Sequence, residues 1–369
     1  VHVDGNVTDG FSITRPAARS TTVRRVPEAF RKAAPAVLST TPLPELPAVV
    51  PCWPGEQVAV RGGEVFVRRT PWTGPADGDG EHAPRERALY VHGLGGASTN
   101  WTDLAALLAV RFDGWALDLP GFGRSRPPTR GGYAVQRHAR AVVDVLEQVV
   151  GRSGPAAGRP VHLLGNSLGG LITLLVAARR PDLVATLTLV SPAMPVYRVP
   201  AAFDRAMPLL LVPGIASVAE RRLAGVSAED QVRGLVEMCF GDPLRVSRDR
   251  WEQALEEARE RVAQPWASRA LARSMRGLLS SYLRVGRAGA WRLARAVDRP
   301  TLVVWGARDR LVDPRLAPRL ATALPDARLL VLEGVGHVAM MEAPEPTARA
   351  VLGLVEERDT VAQRVSSPD

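Results

Sequence analysis

Read for the spacing of apolar positions, the chain has one rhythm that is interrupted once and then resumes. Gln57 to Arg61 and Glu64 to Arg69 alternate apolar and polar residues around Gly62-Gly63, which predicts an antiparallel hairpin. Ala88 to Val91, Trp115 to Asp118, Val161 to Leu164 and Thr186 to Val190 are short apolar runs of the kind that buried strands carry. Between them the period changes to that of a helix. Trp101, Leu104, Ala105 and Leu108 form one face; Val142, Val143, Leu146, Val149 and Val150 form a second; Leu168, Leu171, Leu174, Leu175 and Ala178 form a third. From Ser191 to about Val297 no strand-like run occurs. That stretch instead offers helical stripes, Trp251, Leu255, Ala258 and Val262 in one and Leu271, Met275, Leu278, Leu279, Tyr282 and Leu283 in another. The alternation then returns, with strands at Thr301 to Trp305 and Leu329 to Leu332 and helices at Pro314 to Leu324 and Pro344 to about Glu357.

Strands alternating with helices predict an α/β fold, a doubly wound and mostly parallel sheet. The expected core spans residues 56–191 and 298–357, and residues 192–297 form an inserted all-helical subdomain, a lid over the carboxyl ends of the strands. Residues 1–50 are poor in large apolar side chains and rich in Ser, Thr, Pro, Arg and Ala. They are expected to be a mobile extension ahead of a domain covering 51–369, laid at most by their Pro-rich end across it.

Composition changes this picture little. At 369 residues the chain can bury one large core with an insertion. No apolar run is long enough to cross a bilayer, and the first twenty residues have no secretory h-region, so the expected setting is cytoplasmic. Two cysteines, Cys52 and Cys239, and the absence of metal-ligand spacing predict reduced thiols, no metal and no cofactor. The net charge of +9 comes almost wholly from arginine, Lys32 being the one lysine among 47 basic residues. These arginines are interleaved with acidic residues along the chain, which speaks against nucleic acid and leaves weak contact with a membrane surface as the minor reading. Nothing in the pattern reports oligomeric state.

The chemistry lies at strand ends, where a parallel sheet gathers its reactive groups. Gly165-Asn166-Ser167-Leu168-Gly169 joins a strand to a helix and places Ser167 at the apex of a sharp turn, with glycines where side chains would collide. A serine needs a base, and the base needs a carboxylate to orient it. Of six histidines, His337 alone follows both the serine and a strand-end acid. Asp309 directly follows its strand, whereas Asp313 reads as a helix cap.

The HG loop (His92-Gly93), the GNSLGG elbow and the GARD and GVGH segments occur in an order that resembles the α/β-hydrolase superfamily, in its lidded branch, over about residues 56–357. The resemblance implies Ser167 as nucleophile, His337 as general base and then acid, Asp309 as orienting carboxylate, and the backbone N–H groups of Leu94 and Leu168 as oxyanion hole. It implies hydrolysis of a small carboxylic ester with an apolar acyl or alcohol part. The expected substrate contacts are His92, Gly93, Asn166, Met194, Pro195, Met207, Leu210 and Leu211. Two alternatives stand beside it. Asn166 and the Gly-rich HG loop also resemble carbon–carbon bond hydrolases of the meta-cleavage-product type, although the loop lacks their usual proline and Val338 stands where they often have tryptophan. A non-catalytic binding module is the other. Epoxide hydrolases and haloalkane dehalogenases share the scaffold but use an aspartate nucleophile.

Overall fold

A computed structural model describes residues 33–47, 49–70, 72–73, 85–152, 156–195, 209, 211–212 and 215–366. Its centre is a nine-stranded sheet, β1 (Ala34–Pro35), β2 (Gly55–Val60), β3 (Gly63–Arg69), β4 (Glu86–Val91), β5 (Phe112–Leu117), β6 (Val161–Asn166), β7 (Val184–Val190), β8 (Thr301–Gly306) and β9 (Ala327–Leu332), in the spatial order β1-β9-β8-β7-β6-β4-β5-β3-β2. The β2–β3 hairpin and its join to β5 are antiparallel, and every other pairing is parallel. The predicted doubly wound, mostly parallel sheet is therefore the observed one.

Successive strand residues point to opposite faces, so two cores form. Leu89 and Val91 enter the core with α2 (Val135–Gly151) and α3 (Leu168–Arg179), joined there by Val142, Leu146, Leu171 and Leu175. Ala88 and Tyr90 enter the other, with α1 (Thr102–Leu108) and, near the carboxyl end, α11 (Pro344–Ser366). Between β7 and β8 lies the helical insertion, α4 (Ile215–Ala224), α5 (Ala228–Cys239), α6 (Arg248–Val262), α7 (Ala267–Tyr282) and α8 (Ala290–Ala294). Ser227 and Ser247 begin α5 and α6 by accepting the N–H groups of Asp230 and Arg250. α4 packs on α7 and α5 on α6. Both expected stripes are cut short: Ala258 and Leu278 are buried, but Val262 at the end of α6 and Leu283 beyond α7 face water. After β8, α9 (Leu316–Ala323) leads to β9, and α10 (Ala339–Glu342) follows the last strand.

The boundary placed at residue 50 moves. β1 adds to the sheet edge in parallel with β9, Ala36 donates its N–H to the Leu329 carbonyl at 3.0 Å, and the Ser39 N–H reaches the Arg349 carbonyl at 2.9 Å. The hydroxyls of Ser39 and Thr41 both donate to Glu356 of α11, at 2.5 and 2.9 Å. Val37 lies so close to α11 that a Cβ on Gly353 would stand 2.1 Å from its carbonyl oxygen. Low overall apolar content hid this segment, which backbone hydrogen bonds, small side chains and a few leucines, Leu38, Leu43 and Leu46, hold against the core. The expectation about residues 1–32 lies outside the described residues.

A chain starting at Pro51 is predicted to lose these bonds, each worth about 0.5–1.5 kcal/mol net. Its thermal midpoint should fall by several degrees in a calorimetric scan, whereas a chain starting at Ala33 should keep that part of its stability.

Acid should also weaken the fold. His138 of α2 is buried against α7, its Nε2 3.2 Å from the Ser274 hydroxyl, and burial pushes its pKa down to about 3. In the unfolded chain an ordinary histidine takes up its proton near pH 6.5. Between those values the unfolded state binds a proton that the folded state refuses, so stability falls as pH drops from about 6.5 towards 3, by at most about 1.4 kcal/mol per pH unit. Denaturant titrations at pH 7 and pH 5 should show this loss, reduced in His138→Gln.

Candidate active site

Ser167 links β6 to α3 with φ 53° and ψ −117°, a backbone conformation that costs on the order of 1–3 kcal/mol and persists only where the surroundings over-determine it. They do so here. The Ser167 N–H donates to the Val190 carbonyl at 3.0 Å, and its carbonyl accepts from Leu171 and Ala193 at 3.1 and 2.9 Å. The helix meets the sheet closely enough that a Cβ on Gly169 would lie 2.3 Å from the Val91 carbonyl oxygen, and one on Gly165 would lie 2.6 Å from that of Gly169. Ser167 itself stays partly exposed, while its neighbours Asn166 and Leu168 are buried.

Asp309 follows β8, and His337 lies in the loop after β9. The His337 Nδ1 is 2.8 Å from Asp309 Oδ2, and the other carboxylate oxygen accepts the N–H groups of Leu311 and Val312 at 2.9 and 3.0 Å. A carboxylate so placed only accepts, so the imidazole proton sits on Nδ1 and Nε2 keeps its lone pair. Both side chains are buried. Asp313 is occupied elsewhere, holding the Arg315 backbone N–H and guanidinium. The Asn166 amide joins the two parts, donating to the carbonyls of Val190 and His337, each at 3.1 Å.

The loop after β4 forms the opposite wall. His92 Nδ1 is 2.6 Å from the Gly93 carbonyl, and Nε2 accepts the Leu119 N–H at 2.9 Å, which places the proton on Nδ1. Burial pushes its pKa down, so the ring is a neutral strut between two loops. A Cβ on Gly93 would stand 2.9 Å from Asn166 Oδ1 and 3.1 Å from the Ser167 Cβ, which brings the backbone before Leu94 against the elbow. Leu168 opens α3, where helix N–H groups have no intrahelical acceptor.

A family model described as alpha/beta hydrolase fold matches residues 89–344. The chain belongs to the α/β-hydrolase family. Lipase 1 of Psychrobacter immobilis is 27% identical over 266 residues, covering 71% of this chain and 74% of the lipase. The dihydrolipoyllysine-residue acetyltransferase component of the acetoin cleaving system of Cupriavidus necator is 29% identical over 257 residues, 70% of this chain, and the match spans 60% of that relative's length. A putative lipase from Acinetobacter baumannii has the same fold, with a TM-score of 0.64 at 20% identity over 83% of this chain and 92% of its own. Hydrolase is thus the activity class of this α/β-hydrolase.

Four of the expected substrate contacts lie in the walls of the site: His92 and Met194 expose none of their surface, and Asn166 and Gly93 are buried. Pro195 accepts the Trp291 indole N–H through its carbonyl, and Leu211 is partly exposed. Met207 and Leu210 lie outside the described residues.

One carboxylate went unforeseen. Glu342 of α10 accepts the N–H groups of Gly336 and Gly241 on Oε2, at 2.7 and 3.0 Å, and that of Asp242 on Oε1, at 3.1 Å. It ties the turn before His337 to the end of α5. The same two segments meet through the His337 N–H, which donates to the Cys239 carbonyl at 2.6 Å. Contact is so close that a Cβ on Gly336 would lie 2.3 Å from that carbonyl oxygen, and one on Gly241 would lie 2.5 Å from the Gly334 oxygen. Burial pushes the Cys239 thiol up to about 12, with the charge of Asp309 adding to the effect, so it stays protonated in this wall.

Glu342→Gln leaves one acceptor oxygen for three donors. It is predicted to lower kcat about tenfold with KM within about twofold, because the His337 loop loses charge-assisted bonds worth about 1.5–3 kcal/mol each. Glu345→Gln, whose carboxylate makes an exposed pair with Arg349, should leave kcat unchanged.

Proposed function

We propose that this hydrolase cleaves carboxylic esters with an apolar acyl or alcohol part through an acyl-enzyme on Ser167. The observation that carries the reading is the buried His337–Asp309 hydrogen bond, set one amide away from a strained serine elbow. In this reading Nε2 of His337 takes the Ser167 proton as Oγ attacks the ester carbonyl, and Asp309 stabilises the imidazolium that results. The N–H groups of Leu94 and Leu168 receive the charge that develops on the carbonyl oxygen. His337 then returns the proton to the leaving alcohol, and a water repeats the sequence to free the acid. The name of the Psychrobacter relative, a lipase, supports an ester substrate.

The helical insertion serves as the lid in this reading. The Leu271 Cδ1 of α7 lies 3.5 Å from where a Cβ on Gly95 would stand, and the Ala270 Cβ 2.9 Å from where one on Gly121 would stand, so α7 overlies the loops beside the elbow. Leu271 and Leu211 are the side chains proposed to meet the apolar part of the ester.

Ser167→Ala and His337→Ala are expected to reduce turnover of p-nitrophenyl esters at least about 10³-fold with the fold retained. Asp309→Asn should fall short of that loss, and Asp313→Asn should be near neutral; a larger effect at Asp313 would reassign the acid. Across a chain-length series kcat/KM should climb from acetate to medium-chain esters by a few-fold per carbon, as about 0.8 kcal/mol per buried methylene allows. A profile that falls from acetate onward, together with turnover of a dienoate diketone, would replace ester hydrolysis by carbon–carbon bond hydrolysis.

A further inference from the structure

The second half of α7 carries a feature that ester hydrolysis does not use. A cavity of about 170 Å³ opens there, walled on one side by Tyr133 and Gln136 at the start of α2 and on the other by Arg273, Arg276, Ser280 and Arg284. Among the described residues, no acidic side chain lines it. Arg273 also holds Glu220 at 3.0 Å, but Arg276 and Arg284 make no ion pair among the described residues. Some surface arginines are paired, as Arg61, Arg69 and Arg180 are with Asp144, Asp113 and Asp182, but Arg221, Arg222, Arg292 and Arg295 of the same part of the insertion, like Arg276 and Arg284, make no ion pair among the described residues. Among the described residues, two cationic groups of the cavity thus have no counter-charge.

The insertion as a whole is polarised. α4 together with residues 267–295 contains nine arginines and one glutamate, whereas residues 228–262 contain six arginines and nine acids. Residues 267–295 alone hold seven of these arginines and no acid, and packing pairs α4 with α7 and α5 with α6, so the division is spatial as well. The basic half carries +8 of a chain whose net charge is +9. Two large apolar side chains flank Arg284 on the turn leaving α7. Leu283 is 70% exposed and Val285 is 85% exposed. Val212 and Val218, before and on α4, are exposed as well.

We infer that the end of α7 and the 283–286 turn dock on an anionic phospholipid surface, with a headgroup phosphate between Arg276 and Arg284 and with Leu283 and Val285 in the acyl boundary. Unpaired guanidinium groups suit phosphate oxygens. The aliphatic pair has no role toward a free phosphate, and among the described residues no exposed aromatic stands ready to stack on nucleic-acid bases. A second copy of the same basic face would be repelled. Docking would hold α7 at one end while Leu271, about 16 Å back along the helix from Tyr282, covers the oxyanion loop. The inference does not depend on ester hydrolysis, and it is tested without turnover.

Full-chain Ser167→Ala protein, which leaves the lipid intact, is sedimented with vesicles of phosphatidylcholine alone or of phosphatidylcholine and phosphatidylglycerol at 3:1. Binding is expected on the anionic vesicles only and is released by 0.5 M salt. Arg276→Gln with Arg284→Gln should weaken it by at least about tenfold, at about fivefold per arginine. Leu283→Ser with Val285→Ser should weaken it comparably, and both pairs should keep the parent thermal midpoint. Equal binding to neutral vesicles, or unchanged binding by the arginine pair, overturns the inference. So does competition by free glycerol phosphate with full binding retained in the Leu283/Val285 pair, which would mark a small-phosphate site. Tighter binding to a single-stranded oligonucleotide than to anionic vesicles overturns it in favour of nucleic acid.

Discussion

Backbone strain at Ser167 is the constraint around which the rest is built. A serine at φ 53° survives because its own N–H and carbonyl are spoken for on three sides, by Val190, Leu171 and Ala193. Those partners belong to β7, α3 and the segment after β7, so the elbow exists only once the middle of the parallel sheet has formed. Asn166 extends the same logic outward, since one amide fixes both the end of β7 and the backbone of His337. Pre-organisation here is made of main-chain carbonyls meeting at the carboxyl edge of the sheet, and glycines are what let them approach.

This explains which parts could be read from the chain. Ser167, Asp309 and His337 each sit in a short segment whose local pattern, strand then Gly-rich turn, identifies a strand end. Glu342 has no such mark. Its partners are the N–H groups of Gly336, Gly241 and Asp242, and backbone donors a hundred residues apart leave no trace in side-chain chemistry. Met194 is less legible for a different reason: an apolar residue just past a strand end can belong to the core or to a pocket, and in the structure it is completely buried. The fold class itself was legible from periodicity alone, because buried parallel strands and amphipathic helices differ in period over whole elements.

Charge was legible in part. Residues 267–295 carry seven arginines and no acid in sequence, and a basic face at Arg269, Arg273, Arg276 and Arg284 can be read there; the two arginines of α4 join them only because folding brings α4 beside α7. The insertion thereby has two electrostatic characters, one visible along the chain and completed by packing. Both halves hold the sheet domain: α7 packs on α2 and α8 on α3, while α6 places Glu257 on the Thr99 hydroxyl at 2.9 Å and Gln264, just beyond it, lies on the Gly123 carbonyl at 2.7 Å.

The short strand β1 also bears on how copies of this protein meet one another. An open parallel sheet ends in a row of unpaired N–H and C=O groups, a template on which a strand from another molecule can grow. β1 covers part of that row on β9, and it is only two residues long and ends in Pro35, which has no N–H to offer outward. The opposite edge, β2, presents Glu56 and Gln57 to water. A segment that contributes little to the core thus helps to keep the sheet from polymerising, so its loss would cost solubility at high concentration even in molecules that remain folded.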